Sequence, residues 1–152
     1  MRNLVIEEVK NKWPKLGTHN YRDTSHATPK YNCMAFANGD ERHKWECGRN
    51  GGRFYWPDGL GDSLDDWCQI FVRQGFSVTD NRAVEVGYDK VAIYVDGQND
   101  TSHVAITSGD TWKSKLGNYQ DISHDTLDLL EGYESCEYGR VAVVLRRKAV
   151  LQ

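Results

Sequence analysis

Apolar residues recur at helical spacing in two segments of the first half of the chain. The first segment has Asn3 as its expected N-cap and ends at Pro14; the second runs from an expected N-cap at Ser63 to Gly75. The apolar positions are Leu4, Val5, Val9 and Trp13 in the first, and Leu64, Trp67, Cys68, Phe71 and Val72 in the second. Both segments are predicted to be amphipathic helices, and Cys68 is expected to face the core.

A third, shorter helix is predicted between them. Asn32 is a favoured N-cap residue, the apolar run Cys33–Ala37 follows it, and Asn38 with Gly39 gives the usual signal for a helix end. This places Cys33 in the first turn.

From Tyr88 the period of the apolar positions changes to two. Val91, Ile93 and Val95 alternate with other residues, which predicts a half-buried strand. A second strand begins at Ser102, and a tight turn at Gly109 and Asp110 leads to a third over 111–116.

The remaining elements are shorter. Strands are predicted at 76–78, 84–86 and 140–145, a short helix from Ser123 or Asp125 to Gly132, and loops at 18–30 and 39–61. The aromatic-rich second loop is expected either to border a cleft or to seal a small core of its own. Because the helices precede an antiparallel sheet, the predicted fold class is α+β, in a single domain over residues 1–152.

Composition excludes several classes of function. The formal charge is -3, the pI is about 5.9, and the basic cluster at 146–148 ends a strand, so neither a nucleic acid nor a membrane is an expected partner. The sequence shows no long apolar run and no signal peptide, which predicts a cytoplasmic protein or one exported without a classical signal. The four cysteines form no Cys-x-x-Cys pair, so neither a metal nor a cofactor is expected.

Cys33 is the candidate nucleophile. The unpaired N–H groups and positive dipole end of a helix stabilise a thiolate, and are expected to lower the pKa of Cys33 from about 8.5 towards neutrality. The alternative is a buried structural thiol, since free cysteines are among the most buried residues.

His103 is the candidate base, and the hairpin that follows it sets its neighbours. With a two-residue turn, Ser108 pairs with Thr111 and Thr107 with Trp112, so His103 shares a sheet face with Ser114. A histidine beside a polar residue suits a base held by an orienting partner. A shift by one residue would bring the neighbouring lysines to that face instead.

A cysteine helix followed by a strand that begins with histidine resembles the papain-like fold, and most nearly the NlpC-type cell-wall peptidases. The resemblance lies in residues 32–37 and in His103-Val104-Ala105-Ile106. Further segments resemble a poorly characterised bacterial branch of that fold, namely 56–57, 112–117, 122–124, 130–132 and 138–139.

The resemblance implies a monomeric, thiol-dependent hydrolase that cleaves a peptide or amide bond. Cys33 would be the nucleophile, His103 the general base and acid, and Ser114 the orienting residue, although the family usually has His, Asn or Gln there and Asp before the cysteine. His124 would replace Ser114 as orienting residue, or the pair would act as a dyad. The residues expected to stabilise the oxyanion or line the substrate site are Tyr31, Asn32, Trp56, Trp112 and Lys115.

Other functions remain open at this point. Asn32-Cys33 also resembles the lecithin:retinol acyltransferase-like branch, in which His19 or His26 would serve as the base. Deamidation would use the same thiol chemistry. A toxin or effector that acts on a protein target would also use this chemistry. A binding module would keep only the fold.

Overall fold

The computed structural model describes residues 1–150, and the predicted α+β class is confirmed. The predicted domain 1–152 includes two residues outside this range. The helices are α1 (Ile6–Lys12), α2 (Cys33–Ala37) and α3 (Leu64–Val72), with a 3-10 helix at Leu127–Leu130. The strands are β1 (Tyr21–Asp23), β2 (Lys44–Trp45), β3 (Phe54–Tyr55), β4 (Ser77–Thr79), β5 (Tyr88–Val95), β6 (Thr101–Ser108), β7 (Thr111–Lys115), β8 (Asp121–His124) and β9 (Arg140–Lys148).

Seven strands form one antiparallel sheet in the order β1-β8-β7-β6-β5-β9-β4, and β2 and β3 form a separate parallel pair. The prediction that the strand from Tyr88 is half-buried is wrong. Ala92 and Ile93, which face opposite sides of β5, are both fully buried. The reason is that the sheet carries a core on each face, and strand periodicity alone does not reveal the second layer.

The two cores lie on opposite faces of the sheet. On one face, Val9 and Trp13 at α1 pack against Ala105 and Trp112. On the other, Met34 of α2 and residues of α3 pack against Val104 and its neighbours on the sheet. Since side chains alternate along a strand, His103 lies on the α1 face with Ala105, whereas Val104 lies on the α2 face.

The N-terminal helix differs from its prediction at its start. Val5, not Asn3, occupies the N-cap position of α1, and the Glu8 carboxylate accepts the Val5 N–H at 3.1 Å. Asn3 instead bonds the backbone of Ser25 and Ala27. An asparagine side chain can bond the backbone of a loop as well as cap a helix, so the presence of Asn3 did not determine where α1 begins.

The other two helices begin where predicted, with Asn32 and Ser63 as N-caps. Within α3 the buried positions are Trp67, Ile70 and Phe71. Cys68 was expected to face the core, but it is only partly buried and lies at the border of the apolar face.

One predicted strand and one predicted helix start are wrong. The segment 84–86 is not a strand, and Val86 is 99% exposed. Ser123 does not open a helix, because it lies inside β8, and the helical turn begins only at Leu127. The predicted loop 18–30 also contains β1, and the loop 39–61 contains β2 and β3.

Candidate active site

Cys33 is held at the start of α2 by its neighbour. The Asn32 side-chain oxygen accepts the Ala35 N–H at 3.1 Å, and its Nδ2 donates to the Trp45 carbonyl at 3.0 Å. Asn32 is therefore used for capping and for fixing β2, not for lining a substrate site. Cys33 forms no disulfide, and the residue as a whole is partly buried.

The β6–β7 hairpin has the predicted register, with Ser108 opposite Thr111 and Thr107 opposite Trp112. Gly109 has φ of 62°, which the first position of such a turn requires. The ladder ends at Ile106 and Lys113, two residues before the position at which Val104 would pair with Lys115.

Beyond the end of this ladder the backbone groups of β6 and β7 have other partners. The Lys115 carbonyl, which would accept the Val104 N–H, accepts the Gly117 N–H at 3.0 Å instead. The Val104 N–H is directed at the Cys33 thiol. Because Val104 follows His103 directly, the thiol lies near the backbone of His103, whose side chain points to the opposite face of the sheet.

His103, Ser114 and His124 form a buried hydrogen-bonded relay across β6, β7 and β8. His103 Nε2 is 2.9 Å from Ser114 Oγ, and Ser114 Oγ is 2.8 Å from His124 Nε2. His124 Nδ1 is 3.0 Å from the Thr126 carbonyl. Ser114 and His124 thus both orient His103, in series, where the sequence suggested one or the other.

The Thr126 carbonyl determines which atom donates and which accepts in each hydrogen bond of the relay. A carbonyl only accepts, so His124 Nδ1 carries a hydrogen. Burial lowers the pKa of His124 to about 4, so its Nε2 is bare at neutral pH and accepts the Ser114 hydroxyl proton. Ser114 Oγ must then accept from His103 Nε2–H. This assignment leaves His103 Nδ1 with a free lone pair.

The surroundings of His103 keep its imidazole neutral. Its ring stacks on Tyr138 with centroids 4.0 Å apart and meets the edge of Tyr94 at 5.3 Å. Burial, and then the charge of His124, lower the pKa of His103 well below its usual value. His103 is 1% exposed, so its imidazole is almost entirely shielded from water.

The Cys33 thiol does not have the lowered pKa that its place at a helix start suggested. Burial raises its pKa, and the N–H groups of Val104, Met34 and Cys33 and the charge of Lys115 oppose this only in part. A five-residue helix supplies too little dipole to offset the loss of water. Within residues 1–150 no hydrogen bond joins the Cys33 thiol to His103, which projects towards the other face of the sheet.

Two tryptophans expected to line the site are core residues instead. Trp112 is 1% exposed and packs against α1. Trp56 is 3% exposed, lies 6.5 Å from the Trp67 ring, and donates its indole N–H to the Leu60 carbonyl. The aromatic loop therefore seals a small core here, one of the two outcomes the sequence allowed.

Tyr31 and Lys115 are also buried, and polar groups of the protein bind their side-chain ends. The Tyr31 hydroxyl donates to Asp121 Oδ2 at 2.9 Å, so its proton is not available to an oxyanion. Burial, and then the bond to Asp121, raise the pKa of Tyr31 to about 12. Sequence reasoning missed Asp121 and Tyr138, because neither lies at a position that periodicity marks as functional.

Folding stability is expected to fall as the pH drops from neutral towards 5, because His124 is neutral when folded. Its pKa is about 4 in the folded protein and 6.5 when unconstrained, so the unfolded chain binds a proton that the folded one does not. This costs about 2 kcal/mol between pH 7 and pH 5, and His103 acts in the same direction. Urea unfolding of the parent and of His124→Gln at both pH values tests this. Equal losses in the two proteins would contradict it.

A model of the family described as Domain of unknown function (DUF7689) matches residues 22–146. The matched segment runs from β1 into β9 and contains Cys33, His103, Ser114 and His124. No curated protein and no solved structure matches the chain. No helix within residues 1–150 is long and apolar enough to cross a membrane.

Proposed function

We propose that this chain, which belongs to the DUF7689 family, is a thiol-dependent hydrolase that cleaves a peptide or amide bond with Cys33 as nucleophile. The observation that carries the proposal is the relay from His103 through Ser114 to His124. It holds one imidazole in the tautomer whose Nδ1 has a free lone pair, as a general base requires, and the Cys33 thiol lies near the N–H of Val104, the next residue.

In the proposed reaction both groups are neutral at rest. His103 Nδ1 takes the thiol proton as Cys33 Sγ attacks the carbonyl carbon, and the imidazolium then gives this proton to the leaving amine. Water hydrolyses the thioester with His103 again as base. The Cys33 N–H and the Val104 N–H, released from the ladder, are the oxyanion donors in this proposal, and they replace Tyr31.

The arrangement of elements supports a papain-like, NlpC-type fold. α2 packs on an antiparallel sheet, His103 lies near the start of β6, and the orienting Ser114 lies on the adjacent β7. The departure is that α2 lies on the Val104 face, whereas the His103 side chain lies on the opposite face of the sheet. Catalytic hydrogen bonds often tighten only when substrate binds, so such a separation suits a resting enzyme.

Hydrolysis of p-nitrophenyl acetate tests the proposal, because this activated ester reports on any acyl-accepting thiol. We expect His103→Gln to lower turnover about 100-fold, since general base catalysis contributes at least that much. His19→Gln and His26→Gln are matched controls, because both histidines are exposed and would be the bases in the acyltransferase alternative. Turnover that depends on either control histidine, or that ignores His103, would contradict the proposal.

A binding module on the same fold is the second candidate, favoured by the 1% exposure of His103 and the raised pKa of Cys33. Its recognition surface would be the paired aromatics Trp45 and Tyr55, whose ring centroids lie 4.7 Å apart. Tyr55 is 41% exposed. This function would be favoured if the parent protein showed no esterase turnover and iodoacetamide alkylated all four cysteines at the same slow rate.

A further inference from the structure

A buried cation lies beside the nucleophile. Lys115 is 0% exposed, and its Nζ donates to the carbonyls of Thr28 and Gly117, both at 2.7 Å. The same Nζ lies 4.9 Å from the centre of the Tyr31 ring, and the Tyr31 hydroxyl donates to Asp121, the residue opposite Lys115 in β8. Burying an ammonium is costly, so a position held by this many contacts calls for an explanation.

These contacts tie the sheet to the segment that leads into α2, here called the leading segment (residues 24–31). The Asp121 carboxylate accepts hydrogen bonds from the hydroxyl groups of Thr24 and Tyr31, and the Lys115 ammonium donates to the Thr28 carbonyl. Both ends of the leading segment are therefore fixed to one pair of strands.

Lys115 lies on the face of the sheet that packs against α2. Side chains alternate along β7, so Lys115 shares this face with Val104. Its ammonium lies over the ring of Tyr31, two residues before Cys33, and its charge acts on the Cys33 thiol.

We propose that Lys115 is a positioning residue for the nucleophile, its fixed ammonium stabilising the negative charge that forms on Cys33 Sγ. The part of this inference that concerns hydrolysis rests on the proposed function, while the effect on the thiol does not. Burial lowers the pKa of Lys115 to about 8, and the nearby Asp121 and Cys33 oppose that shift, so the ammonium is still charged at neutral pH. An opposite charge at close range favours the ionised thiol.

Other ionisable groups face this region from every side. They are Asp121 on β8, Tyr31 in the leading segment, Tyr138 before β9 and Lys44 on β2, while His103 lies on the opposite face of the sheet. Lys115 is the positive charge among the groups that act on the Cys33 thiol.

The test is the pH dependence of iodoacetamide alkylation at Cys33, read by mass spectrometry. We expect Lys115→Met to move the midpoint to higher pH and to slow alkylation near neutral pH about tenfold. Lys113→Met is the matched control, because it makes the same change two residues away on the same face of β7 and should leave the midpoint unchanged. Replacing a buried charge by an apolar residue of similar size is often tolerated, and thermal unfolding checks this.

Tyr31→Phe separates charge from scaffolding, since it removes the bond to Asp121 but keeps Lys115 and the ring beneath it. We expect its midpoint to equal that of the parent. If Lys115→Met does not fold, Lys115→Gln replaces it, because the amide still donates to a carbonyl. An unchanged midpoint in the Lys115 variant, or an equal shift in Lys113→Met or Tyr31→Phe, overturns the inference. Absence of esterase turnover would defeat the hydrolase proposal alone, because alkylation needs no substrate.

Discussion

Cys33→Ser is expected to lower p-nitrophenyl acetate turnover at least about 1,000-fold, with little change in folding stability. A serine hydroxyl gives up its proton far less readily than a thiol. The base that would have to take it, His103, has a pKa well below its usual value. The substitution leaves the size of the side chain nearly unchanged, so the loss reports on chemistry and not on packing.

Cys68→Ser is the matched control for this change. Cys68 is also a partly buried, free thiol at a helix that packs on the same face of the sheet. Its replacement should leave turnover within about twofold of the parent. Turnover that survives in Cys33→Ser, or that is lost equally in Cys68→Ser, would assign the activity to another group.

Ser114→Ala is expected to lower the free energy of unfolding by about 2 to 4 kcal/mol, because it leaves two buried groups without partners. His103 Nε2–H loses its acceptor and His124 Nε2 loses its donor, in a region where Ser114 is 0% exposed. Turnover should fall as well, since the relay no longer holds His103 in one tautomer. Urea unfolding measures the first effect and p-nitrophenyl acetate turnover the second.

Ser123→Ala provides the comparison for Ser114→Ala. Ser123 lies on the neighbouring strand β8, opposite Lys113, and is only partly buried. We expect it to change stability by no more than about 0.5 kcal/mol. A Ser114→Ala protein as stable as the Ser123→Ala protein would show that the hydroxyl does not join the two imidazoles.

The parts of the site that follow from local sequence could be predicted. α2 begins at Cys33 because Asn32 caps it. The cap joins residues only three positions apart, so it can be predicted from the local sequence. The hairpin register follows from Gly109, whose positive φ fixes a two-residue turn. These local features placed the nucleophile at a helix start and put His103 and Ser114 on one face.

The parts that depend on distant segments could not be predicted. The link from Ser114 to His124 requires β8, but Ser123 and Asp125 are also favoured N-cap residues, and they suggested a helix in its place. The raised pKa of Cys33 comes from burial beneath elements remote in sequence. Lys115 was expected near a substrate from the resemblance to NlpC-type peptidases, and only the contacts of its ammonium with distant segments reveal that it is buried.

The order of strands also bears on how the chain avoids aggregation. The long strands β5, β6 and β9 lie inside the sheet, whereas the two edges, β1 and β4, are three residues each. An edge this short offers few free backbone groups on which a strand of another molecule could add. Short edge strands therefore limit the unpaired backbone donors and acceptors of this wide sheet that could promote cross-β growth.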